Sequence, residues 1–103
     1  MPDTDLSSYN SLFLETALSH LNAIDSEIEK LPTAKNAAIT EIYRRIHSLK
    51  GSSSVMKHED ISKQCSEMLD FLSEDNLSNV EMLRSKISTF VTEIRSKVEL
   101  LQL

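Results

Sequence analysis

Residues 37–56 read AAITEIYRRIHSLKGSSSVM, and the way this stretch patterns its apolar residues decides the fold. Ile39, Ile42, Ile46, Leu49 and Met56 recur at the three- and four-residue intervals of a helix with one buried face. Inside that helix lies the run His47-Ser48-Leu49-Lys50-Gly51-Ser52-Ser53, which holds the only glycine of the 103 residues. Glycine in a helix interior costs roughly 1 kcal/mol against alanine. Val55 and Met56 carry the apolar pattern past Gly51, so a simple helix end does not explain it. The missing β-carbon instead reads as cleared space beside His47.

Three further amphipathic segments flank this one. Phe13, Ala17, Leu21, Ile24, Ile28 and Leu31 mark a first helix over about residues 6–31, stopped by Pro32. Residues 33–36 read as the turn into the second helix, and Ser52-Ser53-Ser54 weakens that helix's end. A third helix opens at His58 or Glu59 with acidic residues in its first turn and turns Ile61, Cys65, Met68 and Leu72 inward. Residues 73–77 form a polar turn. Ser78-Asn79-Val80-Glu81 has the form of a capping box. The last helix then presents Leu83, Ile87, Phe90, Ile94, Val98 and Leu101. Four such helices on short connections predict an all-α, antiparallel up-down-up-down four-helix bundle. The first few residues are expected to fray.

Composition agrees. The length predicts one domain over residues 1–103. One glycine and two prolines are too few for the turns of an all-β or α/β chain. The single Cys65 permits no internal disulfide and points to a reducing, cytoplasmic setting. No apolar run is long enough for a membrane span, and the acidic start is unlike a signal peptide. A net charge of −5 argues against nucleic acid as a partner.

At about 100° per residue His47 falls well off the apolar stripe, between Arg44 and Gly51, with Lys50 at the border of the two faces. Imidazole is a good nucleophile near neutral pH. Phosphorylation of it builds negative charge that Lys50 and Arg44 can offset through charge-assisted contacts. There is no glycine-rich phosphate loop and no cluster of acidic metal ligands. The chain should therefore receive a phosphoryl group from elsewhere and pass it on.

His47-Ser48-Leu49-Lys50-Gly51-Ser52-Ser53 resembles the signature of histidine-containing phosphotransfer domains, and is similar to the phosphoacceptor domain of chemotaxis histidine kinases. Phe13-Leu14-Glu15 with Leu21, and Ile42-Tyr43-Arg44 ahead of the histidine, extend the likeness. The resemblance implies a phosphoryl carrier, not an enzyme with its own ATP site, that exchanges phosphate with a receiver-domain aspartate. By it His47 is the phosphoacceptor, Lys50 assists the phosphoryl group and Gly51 admits the receiver; Arg44, Ser48 and Ser52, close by on the same helix, are the expected binding residues. The implied partners are a response-regulator receiver domain and a sensor histidine kinase. The protein itself would be a cytoplasmic monomer with no bound cofactor, Mg²⁺ being held by the receiver.

Two positions depart from the family pattern. Lys57 stands where a glycine is frequent. Leu69 stands where a glutamine or glutamate often hydrogen-bonds the imidazole from the next helix. Either that hydrogen bond is missing, or Ser66 or Asp70 supplies it.

The competing readings are an excised phosphoacceptor domain of a chemotaxis-type kinase and a non-catalytic helical adaptor for a receiver. A lone helical histidine is ordinarily only a surface residue. His47 is set apart by Lys50 and Gly51 at these offsets. His20 and His58 read as surface residues and make no metal pair with it. Cys65 reads as core, as do the methionines Met56, Met68 and Met82.

Overall fold

The computed structural model describes residues 6–74 and 78–101, with side chains from Tyr9 onward. The described residues form four helices, α1 (Leu6–Glu29), α2 (Lys35–Val55), α3 (Glu59–Leu72) and α4 (Val80–Leu100), and no strand. Each packs on its neighbours in chain order, and α4 closes the ring on α1. Arg84 on α4 pairs with Glu29 near the end of α1, and Arg95 further along pairs with the earlier Asp25. That reversed order makes α1 and α4 antiparallel. The result is the up-down-up-down bundle, 52 Å long and 21 × 20 Å across.

The core is the sum of the helical stripes. Phe13, Ala17, Leu21, Ile24, Ile28 and Leu31 are all buried, as are Ile42, Ile46 and Leu49 from α2 and Ile61, Cys65, Met68 and Leu72 from α3. α4 contributes Leu83, Ile87, Ile94 and Val98. Five expected core positions differ. Val91 is buried where Phe90 was expected, and Phe90 lies at the margin, its ring 6.1 Å from that of Phe71. Leu101 falls just past the end of α4 and is exposed, as is Met82 in its first turn. Ile39 and Met56 are only partly covered.

The ends of the helices follow local chemistry. α1 stops at Glu29, two residues before the expected end, and the turn spans residues 30–34. Pro32 biases Leu31 away from helical geometry. The chain tightens there, with Leu31 N–H donating to the Ile28 carbonyl at 3.2 Å. The α4 cap is shifted by one residue from the expected box. Asn79 is the N-cap and its side chain accepts from the Met82 N–H at 3.0 Å, so Glu81 holds no reciprocal position. The expected fraying at the N-terminus and residues 75–77 of the polar turn lie outside the described residues.

The α2–α3 corner anchors the end of the helix that bears His47. Gly51 lies inside α2, which runs on for a full turn to Val55. The three serines that follow Gly51 each have a task. Ser52 Oγ donates back to the Ser48 carbonyl, and the fully buried Ser53 hydroxyl donates to the Leu49 carbonyl at 2.7 Å. Ser54 and Ser62 hydroxyls meet at 2.7 Å across the corner. The chain then reverses at Lys57, whose φ of 62° is left-handed. His58 N–H donates to the Ser53 carbonyl at 2.8 Å and Lys57 N–H to the Ser54 carbonyl at 3.1 Å, the paired bonds of a Schellman C-cap. Behind the turn the His58 ring packs 4.9 Å from Phe13.

Lysine occupies the position at which glycine carries no steric penalty. Lys57→Gly should therefore stabilise the fold by about 1 kcal/mol. A higher urea midpoint at unchanged slope would register this. Burial pushes the Cys65 thiol up to about 12, against a smaller opposing pull from Lys50. In the folded protein a thiol reagent at mildly alkaline pH should label Cys65 only as fast as the bundle opens, and denaturant should make labelling immediate.

Candidate functional site

Burial of Ile42, Ile46 and Leu49 fixes the rotation of α2 about its axis, and His47 emerges exposed on the other side. Among the described residues nothing hydrogen-bonds its imidazole. Its ring neighbour is Tyr43, one helical turn earlier, with centroids 6.3 Å apart and planes 18° from parallel.

Gly51 lies one turn beyond His47 and is exposed. A β-carbon built there would meet nothing within 4 Å. No internal neighbour therefore requires glycine. Lys50 is half-buried on the α3 side of His47, and among the described residues it takes part in no ion pair.

The other expected members divide. Ser48 is exposed and Ser52 half-buried, its hydroxyl already bonded to the helix backbone. Arg44 is exposed, but its guanidinium forks onto Glu41 at 2.6 and 3.0 Å, and Arg45 adds a third bond to the same carboxylate. These bonds from Arg44 and Arg45 hold the Glu41 carboxyl below its ordinary range. Arg44 is thus tethered one turn from His47, and Lys50 is the cation without such a tether. Arg45 also reaches α1, where its Nη1 lies 3.4 Å from His20 Nδ1. Burial, then the charges of Arg45 and Arg44, lower the His20 pKa.

Counted along the antiparallel helices from the contact of Ser54 with Ser62, Ser66 falls level with Lys50 and Leu69 level with His47. Leu69 is buried in the core, Ser66 is half-buried and Asp70 is exposed. No hydrogen bond links any of them to the imidazole. Of the two alternatives read from the sequence, the absence of such a bond among the described residues favours the one without a polar contact from α3.

Two features escaped the sequence reading. The Tyr43–His47 pair follows from their four-residue spacing on one helix and was there to be found. The second is an apolar groove of about 290 Å³ between the start of α1 and the end of α2, lined by Tyr9, Leu12, Phe13, Thr16, Val55 and Met56. Its rim is unusually bare, with Leu12 62% and Val55 79% exposed. No described helix is long and apolar enough to cross a membrane, and no group of three or more metal-ligating side chains occurs among the described residues.

The sequence matches the Hpt domain over residues 9–102, nearly its whole length. Neither the curated proteins nor the solved structures contain a match to it. With a four-helix bundle, an exposed histidine on α2 and this match together, the chain belongs to the Hpt domain family, phosphocarriers of histidine phosphotransfer in phosphorelays that interact in general with receiver and kinase partners.

Proposed function

We propose that His47 is the phosphoacceptor of this chain and that it exchanges a phosphoryl group with the aspartate of a response-regulator receiver domain. The observation that carries the reading is an exposed imidazole with no hydrogen bond among the described residues, beside a half-buried lysine and a helical glycine that no internal contact requires.

In the forward step a nitrogen lone pair of His47 attacks the phosphorus of the aspartyl phosphate. An N–P bond forms as the P–O bond to the aspartate breaks, and the carboxylate leaves with that electron pair. The second nitrogen keeps its proton. Lys50 offsets negative charge on the phosphoryl oxygens as they approach. Gly51 admits the receiver's backbone close to the imidazole, and Ser48, Ser52 and Arg44 meet the rim of the docked partner. Mg²⁺ sits in the receiver's acidic pocket, and the return step reverses every bond change.

The groove of Tyr9, Leu12, Val55 and Met56 reaches back to Ser52, the residue after Gly51. It extends the exposed face of α2 toward α1, which suits an apolar centre of contact with a polar margin at Ser48 and Arg44. In this reading the chain is a cytoplasmic monomer, one domain over residues 1–103, supplied by a sensor histidine kinase or a receiver and binding no ATP itself.

His47→Gln should abolish acid-labile, base-stable labelling by phosphorylated receiver domains while leaving the helical circular dichroism intact. Labelling retained in that variant would remove the assignment. Gly51 separates folding from function in a second experiment. Gly51→Ala should stabilise the bundle by about 1 kcal/mol, since its β-carbon meets open space. Gly51→Gln should fold equally well yet slow transfer at least tenfold, and an undiminished rate would defeat the clearance argument.

A further inference from the structure

We propose that Tyr43 is the positioning residue of the His47 imidazole, restraining it by ring stacking where a hydrogen bond from α3 is absent. The inference rests on His47 being the phosphoacceptor and deepens that reading.

An exposed side chain without a partner exchanges rotamers within nanoseconds. A nucleophile must instead be held on line with the group it attacks. Among the described residues no hydrogen bond from α3 reaches the imidazole, and by the count from Ser54 and Ser62 it is the buried Leu69 that falls level with it. On its own helix the situation differs. Side chains lean toward the N-terminus of a helix, so His47 leans over the turn that carries Tyr43. The two rings lie near parallel, 18° apart in plane with centroids separated by 6.3 Å, within the range of an offset stack.

The mode of restraint has a chemical consequence. A hydrogen bond occupies one imidazole nitrogen and selects a tautomer. A stack touches the ring face, while the lone pair of one nitrogen and the N–H of the other lie in the ring plane. Tyr43 therefore limits the tilt of the ring without occupying either nitrogen. Its hydroxyl makes no hydrogen bond among the described residues, and the residue is 38% exposed. The ring face alone carries the effect, so phenylalanine should serve as well.

The test compares wild type, Tyr43→Ala and Tyr43→Phe, each assayed with receiver domains loaded from radiolabelled acetyl phosphate. Tyr43→Ala should lower the maximal transfer rate about threefold to tenfold. Receiver affinity and helicity should stay unchanged, and Tyr43→Phe should restore the rate. In parallel, NMR relaxation of the His47 ring carbons should show faster ring motion in Tyr43→Ala and wild-type motion in Tyr43→Phe. Tautomer populations should be the same in all three. Slower transfer without a change in ring motion would overturn positioning in favour of a docking contact. Failure of phenylalanine to rescue, or a tautomer shift in Tyr43→Ala, would overturn stacking. Absence of label on the wild type would sink the phosphoacceptor reading instead, and the ring dynamics would still decide the restraint.

Discussion

Burying Ile42, Ile46 and Leu49 in the core of the bundle fixes how α2 is turned about its axis, and every property of the site depends on that rotation. With the aliphatic side inward, His47 cannot reach the core. Lys50 is held at the seam with α3, half in and half out, and Gly51 opens onto solvent. Ser53, the one fully buried polar residue on this face, does not disturb the arrangement because its hydroxyl is satisfied by the Leu49 carbonyl. The carbonyl bonds made by Ser52 and Ser53 supply local support in the turn just after the glycine.

Glycine and lysine stand in positions that backbone preference alone would exchange. The chain's one glycine is placed in the regular helical interior of α2, where it weakens the helix. Lys57 takes the left-handed position at the corner, where glycine would fit without strain. At the corner, two well-formed bonds to the Ser53 and Ser54 carbonyls and the packing of His58 on Phe13 hold the turn regardless. At Gly51 no contact within the molecule offsets the cost. Local rules tend to be broken at functional positions, and the open surface at Gly51 fits a requirement that comes from outside the chain.

Electrostatics around the histidine are sparser than the sequence implies. Arg44 and Arg45 converge on a single carboxylate, Glu41, so two of the three nearby cations are engaged within α2. What remains beside the imidazole is Lys50, whose stem is packed at the seam and whose charge is felt as far as Cys65. The face α2 presents is therefore an apolar and hydroxyl-bearing surface with one available cation close to the nucleophile, not a broad basic patch. Such a surface suits contact with a folded protein partner through a desolvated centre.

Helix number, order and most of the core were legible in the sequence because a buried stripe on a helix must repeat at three and four residues. His47, Lys50 and Gly51 were legible for the same reason, since their offsets are fixed by helical geometry once the stripe is known. The errors fell mostly at helix ends and where three- and four-residue steps compete: Val91 in place of Phe90, the exposed Met82 and Leu101, the partly covered Ile39, the cap at Asn79 in place of Ser78, and the break at Glu29. The sequence by itself determined that an imidazole would stand on the polar side of a helix next to a lysine and a glycine. Only the tertiary structure decided what that imidazole meets, because the antiparallel packing of α2 on α3 sets which α3 residue lies opposite. Counted from the contact of Ser54 with Ser62, that residue is the aliphatic Leu69, which leaves the ring with Tyr43.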